Sequence, residues 1–188
     1  MHKIDVAAAW GKQLQAALFG LSAEVNPAEI EAVRNALSAL AWREGCPRAH
    51  RARSDEELTY RRQLVVAAPD RSYSALLITW PPGYVTPVHD HSRLWGIELV
   101  LDGALEVREF MTSEDAPIEL QFTRSVMLGA GDATTFLDPS YAHSCRNLSD
   151  SKPALSLHVY GGMLEDFHSF HQEADGAFGI TRRRAEHC

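Results

Sequence analysis

Short runs of β-forming residues, separated by turn residues, dominate the chain from about residue 58 onward. β-Branched and aromatic residues favour strands, and many short strands at close spacing are typical of a β-sandwich or a β-barrel. We therefore predict a mainly β fold. The runs are bounded by Pro, Gly, Asp and Asn, and they read LVVAA, SALLITW, GIELVL, ALEVREF, IELQF, ATTFL and ALSLHVY.

The residues before this β-rich part have a different periodicity. Residues 5–45 space their apolar side chains three and four positions apart, which predicts amphipathic helices. The second helix has a clear start, because Asn26 can cap it and Pro27 occupies the first helical position. Glu29 stands where a capping box places an acid, and Gly45 is expected to end the helix.

The length of 188 residues, or 20.9 kDa, fits one domain with a substantial core. We expect a single domain over residues 1–188. It would consist of an N-terminal helical segment (1–57), a β-barrel core (58–162) and a C-terminal extension (163–188). Within the extension, MLEDFHSFHQEA is compatible with a short helix or with an extended flap.

Composition excludes several classes of function. No apolar run approaches the roughly 20 residues that span a bilayer, and the N-terminus does not resemble a secretory signal. A net charge of -7 disfavours nucleic acid, and the one dense basic cluster, Arg182 to Arg184, is short. Three widely spaced cysteines, Cys46, Cys145 and Cys188, suit a reducing compartment. We expect a cytoplasmic protein that acts on small molecules, and the sequence does not identify any protein partner.

The stretch TPVHDHSRLWG places His89 and His91 two residues apart behind a proline. Side chains alternate across a strand, so both imidazoles would point to one face and could reach one metal ion. Asp90 between them should face outward as a solvated or supporting residue. The pair alone is weak support for a metal site, because H-x-H also occurs on solvated strands, and a third ligand is needed.

Two half-motifs supply the third ligand: G-x5-H-x-H-x6-E-x4-G over residues 83–103 and G-x7-P-x3-H-x3-N over residues 131–147. This pair resembles the cupin superfamily, whose small double-stranded, jelly-roll-like β-barrel holds a metal inside. The resemblance adds His143 to the two histidines, whereas Glu98 comes too late for the usual cupin glutamate. Three neutral nitrogen donors leave metal positions open for substrate and dioxygen. Zinc is the alternative metal, but a closed zinc site would need a fourth ligand. Cys145, the nearest candidate, is expected to pack instead.

The run SLHVYGG alternates Ser156, His158 and Tyr160 on one face of a strand. Buried polar groups are costly unless they are hydrogen-bonded, so three in series favour a relay that ends in an oriented tyrosine O–H. Such a group could donate a hydrogen bond to a bound anion. The alternative is that Ser156 and His158 face solvent and that Tyr160 is an edge residue.

The run LTYRRQLVVAA places Tyr60 and Arg62 on one face of a strand. A guanidinium can bind a carboxylate through two parallel hydrogen bonds, so Arg62 inside a barrel would orient an acidic ligand. Arg61 and Gln63 would point outward. A solvated strand edge explains the same residues equally well.

Four segments in this order, YRRQL, HDHSRLWG, AHSCRN and SLHVYGG, resemble the cysteine dioxygenase family of thiol dioxygenases. The resemblance covers about residues 58 to 162. It implies non-haem Fe(II) held by His89, His91 and His143, with O2 as co-substrate. It also implies that Ser156, His158 and Tyr160 support the bound substrate, and that Tyr60 and Arg62 bind its carboxylate.

The chain departs from the animal members of this family at two places. Gly96 stands where those enzymes have a cysteine that cross-links to the active-site tyrosine, so no thioether should form. Gly161 and Gly162 replace a Ser-Pro-Pro turn. The resemblance implies oxidation of L-cysteine to cysteine sulfinate, with 3-mercaptopropionate or mercaptosuccinate as alternative substrates for which Arg93 or Arg182 to Arg184 could offer a second charge. A non-catalytic cupin that binds a metal or a metabolite is the alternative of another class.

Overall fold

The structure is a computed structural model that describes residues 6–49, 59–113, 118–173 and 177–185. Cys188 and the expected boundary between residues 57 and 58 lie outside the described residues. No helix in the described ranges is long and apolar enough to cross a membrane.

Two helices form the N-terminal part, α1 (Ala8–Leu18) and α2 (Pro27–Leu40). The predicted capping box of α2 is confirmed: the Asn26 side chain accepts from the backbone of Glu29 at 3.0 Å, and the Glu29 carboxylate accepts from Asn26 N–H at 2.9 Å. The prediction that Gly45 ends this helix is wrong. The helix ends at Leu40, because the following N–H groups bond three residues back and tighten the chain into turns.

Eleven strands follow in the described part of the chain, and each predicted β run overlaps one of them. The segment compatible with a helix or a flap is a strand, β10, and three further strands, β3, β8 and β11, were not among the seven predicted runs. The bounds are β1 Arg61–Ala67, β2 Ser74–Trp80, β3 Val88–His89, β4 Gly96–Asp102, β5 Ala104–Thr112, β6 Leu120–Gly129, β7 Ala133–Phe136, β8 Tyr141–Asn147, β9 Ala154–Tyr160, β10 Asp166–Gln172 and β11 Phe178–Arg184.

The strands form two sheets, and every strand pairing within them is antiparallel. One sheet has the order β1-β2-β9-β4-β7, and the other has the order β11-β10-β3-β8-β5-β6. Apolar side chains from both sheets, such as Ile78, Val100 and Val107, share one buried cluster between them. The two sheets therefore enclose a common lumen, which is the double-stranded β-barrel predicted from the half-motifs.

A second apolar core lies outside the barrel, between the helices and the five-stranded sheet. Trp10 of α1 and Leu37 of α2 pack in one cluster with Leu77, Leu99 and Leu157 of the sheet. Because both faces of these strands are buried, their sequences are almost continuously apolar instead of alternating. The helices thus close one face of the barrel and leave its functional groups inside.

Candidate metal centre and substrate site

Three histidines meet in the lumen. His89 ends β3 and is the direct partner of His143 on β8, while His91 lies two residues beyond the end of β3. Their ring centroids are separated by 5.4 Å for His89 and His91 and by 4.7 Å for each of the other two pairs. One nitrogen of each ring lies within 4.8 Å of the others. The structure thus brings together the three histidines that the sequence singled out.

The donor atoms of this three-histidine group suit a metal ion. His89 Nδ1 lies 2.9 Å from the carbonyl of Pro87, so Nε2 is its available donor. His91 Nε2 is buried and, among the described residues, has no hydrogen-bond partner. A buried nitrogen without a partner is costly unless something absent from the protein atoms binds it. The group therefore fits a metal ion held by imidazole nitrogens.

The histidines are also in the charge state that metal binding requires. Burial lowers the pKa of His89 to about 4, and it lowers the pKa values of His91 and His143 well below the ordinary range. The neighbouring imidazoles add to this effect at His91 and His143, because a second positive charge nearby is unfavourable. Near neutral pH all three rings are neutral and offer lone pairs.

Aromatic packing fixes the ring of His91. Phe136 on β7 stacks against it with ring centroids 4.4 Å apart, and the Tyr141 ring lies 4.7 Å from Phe136 and 6.2 Å from His91. The Phe136 ring occupies the space beside Gly96, where an added Cβ would lie only 2.1 Å from it. Gly96 thus gives Phe136 the room to support the ligand.

The Ser-His-Tyr row lies inside the lumen, and its members form one chain of hydrogen bonds. Trp80 Nε1 donates to Ser156 Oγ at 2.8 Å, and Ser156 Oγ lies 2.9 Å from His158 Nε2. An indole N–H can only donate, so Ser156 Oγ accepts from Trp80, and its own proton is available to His158 Nε2. His158 Nδ1 lies 3.2 Å from Tyr160 Oη and donates to it in the tautomer in which Nε2 accepts from Ser156.

In that tautomer the Tyr160 proton is available to another acceptor in the lumen. The ring of Tyr160 lies 5.2 Å from that of His91, so the relay ends beside the three-histidine group. Burial lowers the pKa of His158 to about 3 and raises that of Tyr160 well above 10, which keeps both groups neutral. Sequence reasoning missed Trp80, since only the pairing of β2 with β9 brings it to Ser156.

Arg62 faces the same lumen. Its partner across β2 is Ile78, a lumen residue, whereas Gln63 pairs with Leu77 of the outer core. Gln63 therefore points away from the lumen as expected, but the helices bury it. The Arg62 guanidinium lies over the Phe167 ring at 4.8 Å and over the Tyr60 ring at 5.6 Å.

The positive charge of Arg62 also affects the pKa values of other groups in the site. It lowers the pKa values of Tyr60, Tyr160 and His158, although burial dominates each of these pKa shifts. Burial raises the pKa of Tyr60 to about 12. The site thus places one permanent cation beside a neutral relay and a neutral ligand group, which is an arrangement that favours an anionic ligand.

Two lumen residues enlarge the polar site beyond the expected set. Glu98 on β4 is fully buried and pairs with His158 across the sheet, and the Cys145 thiol donates to its carboxylate at 3.5 Å. Burial raises the pKa of Glu98 to about 8. A single acid within the apolar run GIELVL was a visible signal for Glu98. Cys145 is buried in the lumen cluster, as expected, but it also contacts His143.

The remaining expected residues lie around the site. Asp90 accepts hydrogen bonds from the backbone and the ring of His168, at 2.8 and 2.9 Å, and so ties the ligand loop to β10. Arg93 has a positive φ of 66° in the turn after His91, and its charge acts on Asp138. Arg182 pairs with Asp166 at 2.6 Å on the outer pair of strands β10 and β11.

A double-stranded β-barrel that gathers three histidine nitrogens in its lumen defines a cupin with a metal-binding group. The sequence profile of one cupin family, "Cysteine dioxygenase type I", matches residues 12–173, which is most of the chain. The chain belongs to the cysteine dioxygenase type I family.

The curated relatives agree with this assignment. The chain is similar to cysteine dioxygenase type 1 of Homo sapiens, with 25% identity over 160 residues that cover 84% of this chain and 76% of the human protein. The Rattus norvegicus protein of the same name is 26% identical over the same coverage. Among solved structures, an oxalate oxidase in complex with the substrate analogue glycolate covers 61% of this chain and 55% of its own, at 20% identity and a TM-score of 0.44.

Proposed function

We propose that this protein is an Fe(II)- and O2-dependent thiol dioxygenase that converts L-cysteine to cysteine sulfinate. The observation that carries the proposal is the convergence, in one lumen, of three neutral histidine nitrogens, a hydrogen-bond relay ending in Tyr160, and the Arg62 guanidinium. Membership of the cysteine dioxygenase type I family supports it. Both oxygen atoms of O2 pass to sulfur, so a thiol becomes a sulfinate without an external reductant.

The donor set supports iron as the metal. His89, His91 and His143 would hold it through imidazole nitrogens, and a three-nitrogen set leaves coordination positions open, as non-haem iron oxygenases require. When bound, ferrous iron supplies the site at which the thiolate and dioxygen meet and lowers the pKa of the thiol. The protein contributes orientation and exclusion of water.

Arg62 and Tyr60 are the proposed substrate-binding residues. The guanidinium would bind the carboxylate of cysteine, and Tyr60 would line the same pocket beside it. Tyr60 is held by stacking on Tyr84, with ring centroids 4.7 Å apart, and by an edge contact to Trp80 at 5.2 Å. A rigid charged partner in a buried lumen would fix the thiol relative to the three histidines.

Tyr160 is the proposed catalytic hydrogen-bond donor. Ser156 and His158 orient its O–H by the relay described above, and they keep its proton directed into the lumen. The hydroxyl would donate to negative charge on the substrate oxygens as they develop. The two free cysteines of the described residues, Cys46 and Cys145, are compatible with action in the reducing cytoplasm. The proposed partner is the small thiol substrate, and no nucleic-acid or membrane partner is proposed.

A substrate panel with Arg62→Ala tests the proposal. Cysteine, 3-mercaptopropionate, mercaptosuccinate and cysteamine are compared under air, with sulfinate quantified. We expect cysteine to be the best substrate and cysteamine, which lacks the carboxylate, to be poor. Arg62→Ala should lower kcat/KM for cysteine by about two to three orders of magnitude, because removing half of a buried ion pair costs about 3 to 5 kcal/mol. Arg62→Lys should recover only part of the loss, because an ammonium lacks the planar fork.

Arg61→Ala is the matched control, since Arg61 neighbours Arg62 on β1 but alternates away from the lumen. Preference for 3-mercaptopropionate or mercaptosuccinate would overturn cysteine as the substrate while retaining the thiol dioxygenase class. Absence of oxygen uptake with any thiol in the iron-loaded protein would leave a non-catalytic cupin.

A further inference from the structure

We propose that the barrel contains a second cation site, formed by Glu98, His143 and Cys145, that binds a borderline divalent ion such as Zn²⁺. The site uses one oxygen, one nitrogen and one sulfur ligand, all on side chains that are at most 1% exposed. It is distinct from the three-histidine group, with which it shares only His143.

The three ligand atoms form a nearly equilateral triangle. Glu98 Oε2 lies 3.5 Å from His143 Nδ1 and 3.7 Å from Cys145 Sγ, and Cys145 Sγ lies 3.6 Å from His143 Nδ1. A tetrahedral zinc ion with bonds of about 2.3 Å to sulfur and about 2.0 to 2.2 Å to nitrogen and oxygen requires ligand separations of about 3.4 to 3.6 Å. The triangle therefore already has nearly the dimensions of one face of a zinc site.

Hydrogen bonding alone satisfies this cluster poorly. The Glu98 carboxyl is 0% exposed and needs close hydrogen-bond partners, and a thiol is a weak donor. Glu98 receives the Cys145 thiol at 3.5 Å, while the nearest imidazole nitrogens, on His143 and His158, lie at 3.5 and 3.6 Å. His158 Nε2 already has Ser156 Oγ at 2.9 Å. A divalent cation would take the place of the carboxyl proton and give the resulting carboxylate the counter-charge that these contacts do not supply.

The two nitrogens of His143 separate the two sites. Nδ1 faces Glu98, Cys145 and, at 3.4 Å, the hydroxyl of Tyr141. Nε2 remains for the three-histidine group. With both sites filled, the His143 ring would bridge the two ions as an imidazolate, and the ring proton, the Cys145 thiol proton and the Glu98 carboxyl proton would pass to solvent. The fourth position of the second site is then open to a water or another exogenous ligand, as in zinc sites with three protein ligands.

His143 and Cys145 can ligate one ion although both belong to β8. Residues two apart on a strand are about 6.6 Å apart along the backbone, which usually keeps their side chains from sharing an ion. Here the sulfur and the ring nitrogen converge to 3.6 Å. Glu98, which comes from the opposite sheet, completes the triangle, so the barrel closure and not the local sequence assembles the site.

Cobalt(II) is the probe, because thiolate-to-cobalt charge transfer absorbs in the near ultraviolet and the three-histidine group contains no sulfur. The test protein is metal-free and carries Cys46→Ser and Cys188→Ser, which leaves Cys145 as its only thiol. We expect the band to grow with added Co²⁺, to persist when His89→Ala removes the other site, and to decline as Zn²⁺ displaces cobalt. Metal analysis should give about one ion per chain in the His89→Ala protein and about two without that change.

Two variants separate ligation from packing. Cys145→Val, whose fold is checked by circular dichroism, should abolish the band. Glu98→Gln keeps the thiol and the imidazole but removes the charge, and it should weaken Co²⁺ binding in the His89→Ala background by at least about tenfold. Bound cobalt without a charge-transfer band, or equal affinity in Glu98→Gln, would overturn the proposal and leave Glu98 and Cys145 as hydrogen-bonded supports of His143.

Discussion

At the scale of single residues, the three-histidine group depends on each imidazole. No carboxylate or thiolate shares a ligand triangle with His89 and His91 among the described residues, so the group has no spare donor. We predict about one Fe per chain in protein loaded with iron, and loss of iron in His89→Ala, His91→Ala and His143→Ala. Iron is measured by metal analysis after removal of unbound ion.

His171→Ala is the control for this prediction. His171 is exposed and pairs with Glu173 at 2.9 Å, away from the lumen, so its removal should leave iron loading unchanged. Stoichiometric iron in the folded His143→Ala protein would show that another residue is the third ligand.

Tyr160 is the second residue whose contribution can be isolated. If its hydroxyl donates a hydrogen bond that strengthens as charge develops on the substrate, Tyr160→Phe should lower turnover by a factor of about 10 to 1,000 with iron retained. Trp80→Phe removes the indole N–H that donates to Ser156. It should lower turnover less than Tyr160→Phe, because the Tyr160 hydroxyl remains and only its support through the relay is weakened. Steady-state oxygen uptake measures both effects.

Tyr73→Phe is the matched control, since Tyr73 packs against the outer core. Unchanged turnover in Tyr160→Phe would reduce the Ser-His-Tyr row to a structural role inside the barrel.

At the scale of elements, the contact between β4 and β7 sets the position of His91. An alanine Cβ at position 96 would lie 2.1 Å from the Phe136 ring, which stacks on His91. Gly96→Ala should therefore displace that ring, destabilise the metal-free protein by about 1 to 3 kcal/mol and weaken metal binding. Urea denaturation and metal titration provide the two measurements.

Gly11→Ala is the control for the same substitution in a tolerant position. Its added Cβ would meet only Val6 at 3.7 Å, an ordinary contact, and alanine is favoured over glycine in a helix by up to about 1 kcal/mol. This variant should be as stable as the unmodified protein or more stable. Equal stability of Gly96→Ala would show that the β4 and β7 contact adjusts without cost.

At the scale of the whole molecule, the histidines of the lumen make the stability of the metal-free protein depend on pH. Burial lowers the pKa of His158 to about 3 and that of His89 to about 4, and it lowers those of His91 and His143 well below normal. The unfolded chain protonates these residues near pH 6.5, whereas the folded chain does so only at lower pH. Stability should therefore be fully present above about pH 6.5 and fall as the pH drops toward about 4.

Glu98 acts in the opposite sense. Burial raises its pKa to about 8, so the folded chain keeps a proton that the unfolded chain loses above about pH 4.5, and stability falls as the pH rises through this range. Below about pH 6.5 the stability gained at the one carboxyl is smaller than the stability lost at the four histidines. Acidification should therefore still lower the urea midpoint between about pH 7 and about pH 5. A higher midpoint at about pH 5 would contradict this prediction, and Glu98→Gln should steepen the loss.

Local sequence signals predicted the elements that are determined by residues close to one another in the chain. The capping box around Asn26 and the seven β runs were predicted because capping and strand propensity depend on neighbouring residues. The end of α2 was predicted at Gly45, which is too late. The chain already turns after Leu40 through backbone hydrogen bonds to carbonyls three residues back, and no residue type in the sequence marks this point. The segment of β10 was left open between a helix and an extended flap, because its periodicity fits both. β11 was not predicted as a strand, because polar, charged residues such as Arg182 to Arg184 carry no strand pattern of their own.

The sequence by itself determined the mainly β class, the helical N-terminal part and the pair His89 and His91, because spacing along a chain is enough to specify strand faces. The resemblance to the cupin superfamily added His143. Only the tertiary structure decided which groups act on one another. The pairing of β2 with β9 brings Trp80 to Ser156, and the closure of the barrel brings Glu98 from one sheet to Cys145 on the other. Such contacts join residues that lie 47 to 76 positions apart, so strand order and register, which depend on the packing of the whole barrel, set them.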